Sequence, residues 1–214
     1  MSEIRVENII GETGSDAVKF TKGINVTGIA TATNVSVGSS VTAATYYGSG
    51  ANLSGLSAGI TMAQTWRITS NYDIPSSANQ VISSNWEIAD TYSYGGIGAS
   101  MPESSGVFTF PSTGIYLIQF SGKHTCTGAA NWSQTEIQVT SNNSNYFIAA
   151  YGYASLHNSG SWQSSYCQFM FDVTDTSTHK ARFVAQGSNA NTDLVGGTNQ
   201  NQTAVFFIRL GDTK

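Results

Sequence analysis

The stretch VFTFPSTGIYLIQF (Val107 to Phe120) carries two runs of alternating apolar residues around one turn, Pro111-Ser112-Thr113-Gly114. Alternation at a period of two marks a strand with one buried face. Pro and Gly at the ends of a four-residue gap mark a tight reversal. The stretch therefore predicts a hairpin of the core sheet, with Phe108, Phe110, Tyr116, Ile118 and Phe120 supplying the packing that the Ser- and Asn-rich remainder lacks.

Working outward, strand signals separated by polar turns fill the chain after residue 60. They fall at Met62–Thr69, Asn85–Asp90, Trp132–Thr140, Asn145–Leu156, Ser161–Val173, Lys180–Gly187 and Thr203–Gly211. With the opening stretch this gives eight to ten strands and no helical period. The expected fold is all-β, an antiparallel jelly-roll sandwich. In Ser161–Val173 one face carries Cys167, Phe169, Phe171 and Val173, the other Trp162, Tyr166, Gln168 and Met170. The last strand is apolar on both faces, and a neighbouring subunit is the simplest cover for the second. Val205 and Phe207 are the expected contacts there.

Composition shifts near residue 60. Before it stand one Phe, two Tyr and no Trp; all four Trp come after. TGIATATNVSVG (Thr27 to Gly38) repeats as SSVTAATYYGSG (Ser39 to Gly50) at a twelve-residue offset. Short β repeats of this kind cannot bury a face alone and must stack. The expectation is two parts: residues 1–60 as an attachment and β-repeat shaft segment, and 61–214 as a globular head.

Only 10% of the 214 residues are charged, against roughly 25% in typical domains. With a net charge of −4 and scattered Lys and Arg, nothing suggests the clustered basic face that nucleic acid requires, and no nucleic-acid partner is expected. No apolar run is long enough for a membrane helix, and no basic-then-apolar leader opens the chain. Cys126 and Cys167 both fall on inward faces, as two buried thiols or one disulfide.

Catalytic signals are weak. GLSAG (Gly55 to Gly59) matches G-x-S-x-G, but the strand–Ser–helix context that the chemistry needs is missing around Ser57. His124, His157 and His179 share no ligand spacing. Asp172–Thr178 and Asp193 offer the only calcium-like oxygens, more simply read as solvated turns. No acidic pair of the glycosidase kind stands out. The expectation is no catalytic residue, no metal and no cofactor. Sugar binding remains, through Trp132, Tyr151, Tyr153, His157 and Trp162, with ASLHNSGSW (Ala154 to Trp162) as the loop. Tyr151 and Tyr153 read equally as subunit-interface aromatics.

GVFTFPSTGIYLIQFSG resembles the G-x-F-T-x-P-x-x-G-x-Y-x-F hairpin of complement globular-head and tumour-necrosis-factor jelly rolls. The matching positions are Gly106, Phe108, Thr109, Pro111, Gly114, Tyr116 and, with one extra residue, Ile118 and Phe120. The order downstream to AVFFIRLG is also similar, over residues 62 to 211. The N-terminal units and AATYYGSGANLSGL (Ala43 to Leu56) resemble segments of phage structural proteins. Together the resemblances imply a phage fibre subunit: a homotrimer, located on the virion, attached to other virion proteins by its N-terminal segment. Its head would bind a host-surface glycan or protein. Two alternatives stand beside it: a structural decoration or collar fibre whose head is a trimerisation cap, and a secreted lectin- or cytokine-like jelly-roll protein.

Overall fold

Alternating sequences become strands where one face can be buried, and in the computed structural model every such run after residue 60 does so. The structure describes residues 24–31, 38, 42, 59–75 and 79–213. The chain divides into two units, Met1–Leu53 and Ser54–Lys214. The second holds all the strands of the described residues, and none of those residues is helical. The twelve-residue repeat and Ser57 lie largely or wholly outside the described residues.

The strands in chain order are β1 (Met62–Ile68), β2 (Tyr72–Ile74), β3 (Gln80–Val81), β4 (Trp86–Ile88), β5 (Glu103–Ser104), β6 (Val107–Thr109) and β7 (Gly114–Cys126). Then come β8 (Ala130–Thr140), β9 (Phe147–Leu156), β10 (Trp162–Val173), β11 (Lys180–Gly187), β12 (Thr192–Leu194) and β13 (Ala204–Gly211). They form two antiparallel sheets. One runs β2-β12-β7-β13-β1-β4, with β10 on the other edge of β7; the second runs β5-β6-β11-β8-β9, with β3 also on β11. From β6 onward the chain crosses repeatedly between the sheets, keeping only β8–β9 as a hairpin of two long neighbours. This is the expected antiparallel jelly roll.

The opening stretch is not a hairpin of one sheet. β6 pairs with β5 and β11, whereas β7 pairs with β10, β12 and β13. Pro111–Gly114 is therefore a corner where the chain passes from one sheet to the other. The alternation is the same in either case, because both sheets face one core and the inward side chains stay inward across the corner. Gly114 makes the corner possible: at φ +145° a Cβ would lie 2.5 Å from both Arg209 Nε and Gly211 O. Arg209 locks it from the last strand, donating from Nε to Thr113 O at 2.8 Å and from Nη1 to Thr61 Oγ1 at 3.0 Å.

Phe108 sits at the centre of the core. Trp66, Trp86, Phe183 and Phe207 stand around it at 5.5, 5.3, 5.3 and 5.3 Å between ring centroids, and Phe120 meets Phe183 at 5.0 Å. Such tilted and edge-to-face pairs add about 0.5–1.5 kcal/mol each beyond area burial. Cys167 joins this cluster, and Cys126 lies in a smaller one with Ala130 and Leu156. Both thiols are free. Cys167 pairs in register with Phe120, six residues before Cys126 on β7; at about 3.3 Å per residue that separation is far beyond disulfide reach.

The last strand requires a correction. Val205 and Phe207 have 0% exposure within a single chain, so they are core residues and not contacts with a neighbouring subunit. The outward side of β13 carries Phe206, Ile208 and Leu210 instead. The inward assignment follows from pairing with Trp66 and Gln64 of β1, a detail that two equally apolar faces do not reveal in sequence.

Candidate functional site

On the side of the six-stranded sheet away from the core, β8 carries Trp132, Gln134, Glu136 and Gln138 in succession, Trp132 half-buried and the other three buried. The antiparallel partner β9 places Tyr153 opposite Gln134 and Tyr151 opposite Glu136. The three aromatic rings form a strip: Trp132 meets Tyr153 at 5.9 Å and 89°, and Tyr153 meets Tyr151 at 5.4 Å and 73°. Tyr151 and Tyr153 are largely exposed, Tyr153 at 59%.

Beside the rings runs a polar row. The side-chain amides of Gln134 and Gln138 both donate to the buried Glu136 carboxylate, the second at 2.8 Å. Arg182 of β11 donates from Nε to Gln138 Oε1 at 2.8 Å, and its guanidinium lies 4.0 Å from the Tyr146 ring centre. Burial raises the Tyr146 hydroxyl pKa, and the Arg182 charge opposes that rise. A buried carboxylate with two amide donors and a relayed cation is held in one orientation. The strip is thus an exposed aromatic surface beside a buried polar row whose groups bond one another.

Three of the five expected binding residues, Trp132, Tyr151 and Tyr153, come together here. Trp162 does not join them. It starts β10 in the other sheet, exposed, with Lys123 Nζ 3.7 Å above its ring centre. His157 is exposed just beyond the end of β9. The loop between them is tied down by Gly160 N–H to Cys126 O at 2.7 Å and by the Cys126 thiol donating to Asn158 O at 2.9 Å.

The outer face of the seven-stranded sheet is apolar where the sequence had only hinted at it. Register aligns Ile208, Leu117 and Met170 across β13, β7 and β10. Met170 is 62% exposed, and Tyr166 and Leu210 are also exposed. One polar knot interrupts the face: the Gln119 amide donates to Tyr166 Oη at 2.7 Å, and that hydroxyl donates to Gln168 Oε1 at 2.9 Å.

A Ser–His arrangement exists that spacing could not reveal. His124 of β7 has Nδ1 2.8 Å from Ser133 Oγ and Nε2 2.8 Å from Ser165 Oγ, and Ser165 Oγ lies 2.7 Å from Thr135 Oγ1. All four side chains are enclosed between the sheets. Both ring nitrogens face hydroxyls and neither faces a carboxylate, so the orienting acid of a triad is missing. Burial holds the His124 pKa down at about 4. The network is an internal polar tie between β7, β8 and β10.

The calcium-like oxygens separate. Asp175 accepts from the N–H and hydroxyl of Ser177 in its own turn, while Asp193 pairs across strands with Asp73. Among the described residues no three His, Cys, Asp or Glu side chains converge as metal ligands.

A two-sheet antiparallel sandwich with this connectivity is a tumour-necrosis-factor-like jelly roll. The solved structures bear this out at the level of fold. The chain is similar to Eiger TNF from S. frugiperda, at 11% identity and a TM-score of 0.53, covering 73% of this chain and 96% of that one. It is similar also to murine APRIL at pH 5.0, at 12% identity and a TM-score of 0.50, covering 70% and 98% of the two chains. No protein-family model matches the chain, and neither does any curated protein sequence.

Proposed function

We propose that this protein is a non-enzymatic fibre subunit of a virion: a homotrimer whose jelly-roll head engages a glycan or protein on a host surface. The aromatic strip Trp132–Tyr153–Tyr151 is the observation that carries the binding role. An exposed ring ladder, held beside a buried and internally bonded amide–carboxylate row, suits the apolar faces of a sugar or the side chains of a protein loop. The segment before the head would dock on other virion proteins.

The test uses the full chain on glycan arrays and on host cells. Tyr153→Ala should abolish binding while leaving the melting temperature and mass unchanged, because its ring is mostly exposed. Wild-type protein that binds neither glycans nor cells would instead point to a head acting only as a cap. A second reading, a secreted lectin- or cytokine-like protein, draws on the fold likeness. Specific binding to a soluble receptor ectodomain, without incorporation into particles, would select it.

A further inference from the structure

At the edge of the seven-stranded sheet, away from the aromatic strip, lies a depression of about 400 Å³, within the range of about 300–1,000 Å³ for small-ligand sites. We propose that it is a binding site for a neutral, hydroxyl-rich ring, such as the terminal hexose or N-acetylhexosamine of a glycan.

Its wall is built under backbone strain. Tyr92 and Ser93 both sit at positive φ, +56° and +59°, and Tyr94 N–H closes the turn on Thr91 O at 3.2 Å. Two positive φ values in the middle of a β-turn define type I′, whose usual occupants are Asn and Gly. Tyr and Ser there are a costly choice for the fold alone. The result is that the Tyr92 ring stands out of the protein, 83% exposed. Tyr94 beside it is anchored, its hydroxyl accepting from Thr65 N–H at 2.5 Å.

The floor is Arg67, fully buried. Its Nε donates to Glu87 Oε1 at 2.8 Å, Nη1 to Thr91 Oγ1 at 2.9 Å and Nη2 to Asp90 Oδ1 at 2.6 Å. Two carboxylates thus take up the one guanidinium, so it offers no free cation to an acidic ligand. The facing wall is Asn199, Gln200 and Asn201, all exposed, whose side-chain amides have no hydrogen-bond partner among the described residues. One held-out aromatic face, a row of free amide donors and acceptors, and a neutralised cation select for hydroxyls on an uncharged ring.

The site does not depend on the aromatic strip, and the experiment separates them. Saturation-transfer NMR on the full chain would use methyl glycosides of glucose, galactose, mannose and N-acetylglucosamine, with that of N-acetylneuraminic acid as the charged comparison. At least one neutral glycoside should give transfer. Tyr92→Asn, which suits the left-handed turn and keeps or raises the melting temperature, should weaken it by about tenfold or more. Asn201→Ala should weaken it too, and Tyr153→Ala should leave it unchanged. No transfer from any neutral glycoside, transfer that survives Tyr92→Asn, transfer lost with Tyr153→Ala, or preference for the acidic sugar would each overturn the proposal.

Discussion

His124 shows how a single buried residue sets a condition on the whole fold. Its pKa is lowered from 6.5 to about 4, so as pH falls the unfolded chain takes up the proton first. The stability this residue supports is complete above pH 6.5 and drains away towards pH 4, by about 3 kcal/mol in total. Chemical denaturation of wild type and His124→Gln at pH 7.5 and 4.5 should show a smaller acid loss in the variant. Asp193 has the opposite sign. Burial, then the Asp73 charge, raise its carboxyl pKa, so its contribution is greatest at low pH and is lost as pH rises through the folded value. Asp193→Asn should raise the melting temperature at pH 7 and leave it unchanged at pH 3. The thiols follow from burial as well. Cys167 is pushed up to about 11 and Cys126 is enclosed, so a thiol reagent at pH 8 should label neither cysteine until denaturant is added.

At the scale of elements, β9 of one sheet comes against β10 of the other at Gly152. Gly152 is the residue that permits it, since a Cβ there would fall 2.4 Å from Tyr166 O and 2.9 Å from Tyr166 N. Gly152→Ala must push β9 outward, at a cost of about 1–3 kcal/mol, and the loss should be read in equilibrium unfolding together with faster amide exchange along β9. Elements of this kind were legible in sequence to an uneven degree. β11 falls on the expected Lys180–Gly187, and Phe108, Phe110, Tyr116, Ile118 and Phe120 are all in the core. The period of two predicts which side chains face inward but carries no record of which sheet a strand joins. That is why a corner at Pro111–Gly114 has the sequence pattern of a hairpin, and why two equally apolar faces do not tell that Val205 and Phe207 point into the core. The aromatic strip is half legible: residue type alone points to Trp132, Tyr151 and Tyr153, while Gln134 and Glu136 gain meaning only from the β8–β9 register. The Arg67 depression was illegible, because Tyr92 and Asn199 are 107 residues apart in sequence and meet through tertiary folding alone.

For the whole molecule, the outer face of the seven-stranded sheet is the feature that a lone subunit leaves unexplained. Soluble monomers rarely expose large continuous apolar patches, yet Ile208, Leu117 and Met170 line up across three strands, with Phe206, Leu210 and Tyr166 around them. In the proposed homotrimer, self-association around a threefold axis would cover that face, along the outward side of β13 and not at the buried Val205 and Phe207. Light scattering on the full chain should then give three times the 22.7 kDa chain mass. Met170→Glu should reduce the mass to that of one chain, because a carboxylate on this row would be desolvated at a subunit contact without partners. The same substitution leaves the monomer core untouched, since Met170 points outward and the inward side of β10 is carried by Cys167, Phe171 and Val173. A far-UV spectrum of strand type with retained cooperativity would show that the dissociated variant is folded. A wild-type mass of one chain, or a trimer that persists in Met170→Glu, would remove this face from the assembly and leave its apolar row to another partner.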